Sequence, residues 1–163
     1  MAPERIFEIQ LLLGYVPWLL FFFAYAWPKL RGMEQAAAQR AIATLNSFRF
    51  FGLVFLVPGV VGQNLPGGWR TFAAYGDLAT GVLAMFALLS FGVRALFWPL
   101  VVTFNLVGAA DLVVDYYEGS RLGLPALAGQ LGGAYWILML YVPLLMITHV
   151  VAFTLMLRRP ARA

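Results

Sequence analysis

The chain has 163 residues, of which 63% are apolar and only 11% are charged, and its mean hydropathy is +0.84. Soluble domains average about 45–50% apolar and about 25% charged residues, so the composition excludes a soluble protein and predicts an integral membrane protein. The net charge is +4, but the basic residues flank apolar runs, which argues against a nucleic-acid partner and for the lipid bilayer. The absence of cysteine excludes disulfides, thiol catalysis and iron–sulfur ligation.

The first apolar run predicts a transmembrane helix, span 1, over residues 6–27. Pro17 lies inside this run and is expected to kink the helix, because proline removes a backbone hydrogen-bond donor. Span 1 is the most uniformly apolar of the runs, so we expect it at the lipid-facing edge of the protein. The alanine-rich polar segment that follows, residues 33–40, predicts a short helix at the membrane surface.

Spans 2 and 3 are predicted at residues 48–61 and 72–93, on either side of a segment rich in Gly, Asn and Pro that indicates a turn. Span 2 is short for a membrane helix and contains Pro58, a second expected kink. Span 3 contains Asp77 one to two turns after its start.

Span 4 is predicted at residues 96–117, although this run contains Asn105, Asp111 and Asp115. An aspartate at the centre of a membrane helix costs roughly 2.5–3.5 kcal/mol, so such a side chain usually faces other helices or a wet cavity. The glycine-rich linker at residues 118–133 is too interrupted for a spanning helix and too apolar for an ordinary loop. It predicts a partly buried or re-entrant segment.

Span 5 is predicted at residues 134–157 and contains Pro143, a third expected kink, and His149, the only histidine of the chain. The predicted fold is therefore all-α, a single domain over residues 1–163 formed by a bundle of five transmembrane helices.

The basic residues indicate the orientation of these spans, because cytoplasmic loops carry an excess of Lys and Arg. If the C-terminus is cytoplasmic, five alternating spans put eight basic residues inside and three outside. The predicted topology therefore has the N-terminus outside and the C-terminus in the cytoplasm. The inner residues are Lys29, Arg31, Arg40, Arg49, Arg94, Arg158, Arg159 and Arg162, and the outer ones are Arg5, Arg70 and Arg121.

Three aspartates form the first candidate site, in the outer half of the predicted bundle. Asp111 and Asp115 are four residues apart and share a helix face, and Asp77 is expected at a similar depth. One hypothesis is an outward-opening acidic pocket that carries a proton or holds a cation or an amine. The alternative is structural: Asp115 lies at the water interface, and Asp77 and Asp111 are tied to Arg70, Arg121 or tyrosine hydroxyls.

Arg49, Asn105 and His149 form the second candidate site, in the inner half. One hypothesis is a polar core of these three residues that binds a head group or carboxylate. In the alternative, Arg49 extends its guanidinium toward the head groups and His149 is a hydrogen-bonded core residue. The glycines inside the spans need only a packing role, since small residues allow helices to approach closely.

The chain contains no phosphate loop, dinucleotide fingerprint, zinc-protease helix or serine elbow. No catalytic residue, metal ligand or cofactor is therefore predicted. Acid–base chemistry would need only an aspartate, a histidine and a pocket, so an enzyme acting on a lipid stays a hypothesis.

Several short motifs together resemble a group of uncharacterised bacterial multi-pass membrane proteins. The motifs are Arg49-x-x-Gly52-x-x-Phe55, Leu65-Pro66, Phe72-Ala73 with Gly76-Asp77, Asn105-x-x-Gly108-x-x-Asp111, and a histidine near the C-terminus, His149. The resemblance implies a bacterial inner-membrane location and functional importance for the polar residues of these motifs, but it implies no activity. The size and the five spans are also similar to the translocator and tryptophan-rich sensory protein family, whose tryptophan- and proline-rich motifs are absent.

Three functions agree with these observations. The first is the binding or transport of a small lipophilic or cationic ligand through the outer aspartates. The second is a non-catalytic accessory subunit, which would assemble as a homo-oligomer or within a larger membrane complex through span 1. The third, and least favoured, is a cofactor-free enzyme acting on a lipid or isoprenoid.

Overall fold

The computed structural model describes residues 1–158, and its regular elements are helices. The α-helices are α1 (Pro3–Phe21), α2 (Trp27–Gly32), α3 (Gln35–Asn46), α4 (Gly67–Leu89), α5 (Arg94–Arg121) and α6 (Val142–Leu157). Two π-helical turns, Phe22–Ala26 and Ile137–Tyr141, and two 3-10 helices, Ser47–Leu56 and Leu124–Ala134, complete the order. Arg159 and Arg162, which contribute to the predicted topology, lie outside the described residues.

Four helices are long and apolar enough to cross a membrane: Pro3–Gly32, Gly67–Leu89, Arg94–Arg121 and Ile137–Leu157. They correspond to predicted spans 1, 3, 4 and 5, so the prediction of an all-α protein with apolar, span-length helices is confirmed at that level. The first of them contains α1, a π-helical turn and α2. Only 17% of its most apolar stretch is buried, against 33–39% for the other three, in agreement with a peripheral position.

The region of predicted span 2 has a different structure. The 3-10 helix Ser47–Leu56 continues directly from α3, and irregular chain follows it. Pro58 lies in that irregular chain, where it pairs with Val61 in an isolated bridge, so the expected helix kink at Pro58 is wrong. Pro17 lies inside α1 and Pro143 is in the first turn of α6, and the kinks expected at these two prolines stay predictions.

Helix α3 packs inside the protein along one face, and the prediction of a surface helix is wrong for this segment. Ala38, Gln39 and Ala43 have 0% exposure. The Gln39 side-chain amide donates to the Ala152 carbonyl at 2.9 Å, which holds α3 against α6. Alanines permit this close approach, because small residues let helix backbones come together.

The helix bundle has two ends, one at Pro3, the start of α1, and the other at Leu157, the end of α6. At the Pro3 end, the Tyr135 hydroxyl bonds to Gln10 of α1, and the Gly62 amide donates to the Gln130 carbonyl at 2.6 Å. At the Leu157 end, Arg158 donates to the Arg31 carbonyl at 3.1 Å. The 3-10 helix Leu124–Ala134 is partly buried at the Pro3 end, as the linker composition predicted.

Two apolar clusters form the core, one toward each end of the bundle. The cluster nearer the Leu157 end contains Phe97, Phe104 and Leu155, and the cluster nearer the Pro3 end contains Phe55 and Trp69. Eight polar side chains of the described residues are buried with these clusters. They are Gln39, Asn46, Arg49, Asp77, Thr80, Asn105, Asp111 and His149.

Candidate functional site

Arg49 is the centre of a buried ionic network. Its side chain has 0% exposure, and its Nε donates to Asp77 Oδ1 at 2.7 Å while Nη2 donates to Asp111 Oδ2 at 2.5 Å. The 3-10 helix Ser47–Leu56 is thereby joined to α4 and α5. The expectation that Arg49 extends toward the head groups is therefore wrong, because two carboxylates hold its guanidinium inside the protein.

The remaining contacts of Arg49 reach α5 and α6. Nη1 donates to the Gly108 carbonyl at 3.1 Å and approaches His149 Nε2 at 3.2 Å. With the two carboxylate bonds, four of the five guanidinium N–H groups have partners among the described residues. Arginine suits this position because its planar fork can bond several acceptors at once, which a lysine ammonium cannot do with the same geometry.

The hydrogen bonds determine the tautomer of His149. Asn105 Nδ2 donates to the Val101 carbonyl at 2.8 Å, which leaves Asn105 Oδ1 facing His149 Nδ1 at 2.9 Å. Since that oxygen can only accept, His149 Nδ1 carries the proton and Nε2 accepts from Arg49. His149 is therefore a neutral, hydrogen-bonded core residue, which was one of the two hypotheses from the sequence. Arg49 and Asn105 both bond to His149, so these three residues form a polar core.

Three glycines make room for the network. A Cβ at Gly52 would overlap the Asp77 carboxylate, and one at Gly76 would overlap the Asp111 carboxylate. A Cβ at Gly108 would lie 2.6 Å from His149 Nε2 and 2.7 Å from Arg49 Nη1. These glycines therefore admit the charged side chains, in addition to the close helix packing that the sequence predicted.

The two candidate sites of the sequence analysis are one site. Asp77 and Asp111 bind Arg49, whereas the sequence analysis expected Arg70 or Arg121 as their partner. Arg121 instead pairs with Glu118 at 2.6 Å. Arg70 forms no ion pair among the described residues. The structural interpretation of these two aspartates is nevertheless right in kind, because both are held by an arginine.

Asp115 is the aspartate that Arg49 does not hold. It lies one helical turn beyond Asp111 on α5, and its Oδ1 is buried without a hydrogen-bond partner among residues 1–158. Trp69 Nε1 approaches the backbone carbonyl of Asp115 at 3.3 Å, which fixes the local backbone and leaves the carboxylate available.

A cavity of about 260 Å³ lies beside the network, toward the Pro3 end. Most of its lining is apolar, including Phe7, Phe55 and Leu112. Asp77 and Asp115 are part of its wall. Asp111 does not line it, so the cavity wall contains two of the three aspartates of the first candidate site, and the outward-opening acidic pocket stays a prediction.

Comparison with protein families gives one result. A family model described as "Domain of unknown function (DUF8737)" matches residues 6–157. The chain belongs to this family. No curated protein and no solved structure matches the chain. The match agrees with the predicted resemblance to an uncharacterised family, while the bacterial origin and the motifs quoted for that resemblance stay predictions.

Several residues of this DUF8737 member contribute to the cavity without having been singled out from the sequence. Glu8 adds a third carboxylate to the lining, and Trp69 and Tyr116 add polar edges. The Tyr116 hydroxyl also bonds to the Tyr15 hydroxyl at 2.8 Å, which joins α5 to α1. The spacing of apolar residues indicates which face of a helix is buried, but it does not indicate that α1 contacts α5 at Tyr15 and Tyr116.

Proposed function

We propose that this DUF8737 protein binds a small lipophilic cation, such as an amine with an apolar body, in the cavity beside the Arg49 network. The observation that carries the proposal is the composition of the cavity wall. Apolar side chains form most of it, the carboxylates of Glu8, Asp77 and Asp115 contribute to it, and none of the described lining residues is basic. Such a wall favours a ligand with an apolar body and one positive charge.

Asp115 is the proposed anchor for the positive charge. The Asp77 carboxylate already bonds to Arg49, whereas Asp115 Oδ1 is buried and has no partner in the described chain. A buried carboxylate without a counter-charge is costly, and an ammonium group that bonds to it would remove that cost. The apolar body of the ligand would gain about 25 cal/mol for each Å² removed from water.

We also propose that residues 35–56 form a further membrane crossing. The 12 residues of α3 span about 18 Å, and the ten residues of the following 3-10 helix span about 20 Å. End to end they reach about 38 Å, which is enough to cross the roughly 30 Å of a hydrocarbon core. The internal ion pairs and hydrogen bonds of Arg49 and Gln39 allow this less apolar segment to cross.

With five crossings the two termini lie on opposite sides of the membrane, and the distribution of basic residues supports an N-terminus outside and a C-terminus in the cytoplasm. Lys29, Arg31 and Arg94 then lie on the cytoplasmic side, as the excess of basic residues in cytoplasmic loops requires. With the resemblance noted above, this arrangement supports a location in a bacterial inner membrane, as an integral multi-pass protein. Transport of the bound cation across that membrane is an extension of the same proposal.

Calorimetric titration of the purified protein with 2-phenylethylamine and with 2-phenylethanol tests the binding proposal. The two probes have nearly the same shape, but only the amine is positively charged at neutral pH. We expect the amine to bind at least about tenfold more tightly. Asp115→Asn should remove this preference while the protein stays folded, because Asp115 belongs to no ion pair among the described residues.

Glu118→Gln is the matched control. Glu118 is on the same helix, does not line the cavity and pairs with Arg121 near the surface, so its replacement should preserve the preference for the amine. Equal binding of both probes by the unmodified protein would contradict the proposal. Binding of neither probe would favour the accessory-subunit hypothesis.

A further inference from the structure

A second cavity lies at the Leu157 end, away from the cation site, and arginines from three parts of the chain line it. It has a volume of about 560 Å³. Arg31 comes from α2, Arg94 from the first turn of α5, and Arg158 from the residue after α6. Packing of the helix ends therefore brings together three positive charges that are far apart in the sequence.

The positive charge of this cavity is only partly compensated. Glu34 is the one acidic residue among the described lining residues, and its Oε1 pairs with Arg94 Nη2 at 3.0 Å. Arg158 donates to the backbone carbonyl of Arg31 at 3.1 Å, which draws its side chain toward α2 without neutralising it. Among the lining residues that the structure describes, the excess is two positive charges, carried by Arg31 and Arg158.

The remainder of the lining is largely apolar. Leu30, Met33, Trp98 and Leu155 contribute to it, and each is on or next to a helix of the bundle. Arginine side chains and apolar side chains in one wall match a phosphate that is attached to an acyl-bearing molecule. Basic pockets between membrane helices at the cytoplasmic side bind anionic lipid head groups in the same way.

We propose that this cavity is a binding site for a phosphate group, with Arg31 and Arg158 as its main ligands. A phosphate group can come from an anionic phospholipid or from a soluble phosphate, and the apolar lining residues Leu30, Trp98 and Leu155 favour the phospholipid. The site is independent of the proposed cation site, since the two cavities share no lining residue.

Native mass spectrometry of the full-length protein in a mild detergent tests this proposal. The protein is titrated with phosphatidylglycerol, with phosphatidylcholine of the same acyl chains, and with inorganic phosphate in competition. We expect phosphatidylglycerol to bind at least fivefold more tightly than phosphatidylcholine, a difference set by the net charge of the head group. The double variant Arg31→Gln with Arg158→Gln should lose this preference, while the Arg94–Glu34 pair stays in place.

The control is the double variant Arg5→Gln with Arg70→Gln, which changes the net charge equally. Neither residue lines the second cavity or forms an ion pair among the described residues, so the lipid preference should persist. Equal losses in both double variants, or no preference in the unmodified protein, would overturn the proposal. Full displacement of the lipid by millimolar inorganic phosphate would support the phosphate site and overturn the phospholipid as its source.

Discussion

Arg49 is the residue on which the described interior most depends. It compensates two buried carboxylates and bonds to α5 and α6 through one further donor group. Removal of one partner from a buried ion pair is far more costly than replacement of the whole pair, because the remaining charge stays uncompensated.

We therefore expect Arg49→Met to lower the free energy of unfolding by about 3–5 kcal/mol. The triple variant that adds Asp77→Asn and Asp111→Asn should regain most of this loss, because no buried charge is then left without its partner. Reversible unfolding in bicelles would measure both. Arg121→Met, which removes an exposed arginine paired with Glu118, should leave unfolding unchanged. A small effect of Arg49→Met would contradict the ionic network.

Gly76 leaves the space that the Asp111 carboxylate occupies. A methyl group there would overlap the Asp111 carboxylate, whereas Gly68 on the same helix has no atom within 4 Å of an added Cβ. Gly76→Ala should thus destabilise the protein by about 1–3 kcal/mol, and Gly68→Ala should be neutral or slightly stabilising. Thermal unfolding of the two variants measures the difference, and equal midpoints would show that Asp111 can move away.

The residues of the network could be identified from the sequence, but the ion pairs between them could not. Arg49, Asp77, Asn105, Asp111 and His149 all stand out because polar side chains are costly in apolar runs. Helical periodicity gives the face of a side chain but does not give the direction of a long one. The guanidinium of Arg49 reaches the aspartates, so residues assigned to opposite halves of the bundle are in contact.

At the scale of elements, α3 is the helix whose position the sequence analysis predicted incorrectly. Its alanines and glutamines give it a low hydropathy, so it resembled a surface helix. In the structure, alanines on one face pack closely, and Gln39 bonds to the backbone of α6. Hydropathy does not register this kind of burial, since the packing energy comes from close approach and internal hydrogen bonds.

Two alanines of α3 test its burial directly. Ala43 has 0% exposure, and Ala41, two residues earlier, is exposed. Ala43→Leu should destabilise the protein by about 1–3 kcal/mol because the larger side chain does not fit, and Ala41→Leu should have little effect. Unfolding midpoints in detergent provide the comparison. Equal tolerance of both leucines would place α3 at the surface after all.

At the scale of the whole molecule, the number of crossings decides which surfaces face each side of the membrane. Three exposed residues lie between the helices. Met33 precedes residues 35–56, Gln63 follows them, and Gly92 follows α4. If residues 35–56 cross the membrane, Met33 and Gly92 lie on one side and Gln63 on the other. If they do not cross, Met33 and Gln63 share a side.

The absence of native cysteine makes this topology measurable. Single cysteines at positions 33, 63 and 92, treated with a membrane-impermeant maleimide in intact cells, should label only at position 63 before the cells are opened. All three should label after permeabilisation, which is the control for reactivity. Labelling of positions 33 and 63 together in intact cells would contradict the fifth crossing and the proposed orientation.

The all-α class and the four long helices could be predicted from hydropathy, because span length follows from bilayer thickness. The cavity beside Asp115 could not, since its wall combines residues from α1, α4, α5 and the 3-10 helix Leu124–Ala134. Its shape depends on how the helices pack, and the sequence of each helix alone does not contain that information.

The proposed cation in the cavity beside Asp115 can be detected directly by gentle native purification, followed by mass spectrometry for bound small molecules and accompanying chains. We expect a stoichiometric cationic molecule on the unmodified protein that is lost in Asp115→Asn and retained in Glu118→Gln. Stoichiometric partner chains without any small molecule would contradict it and identify the protein as an accessory subunit.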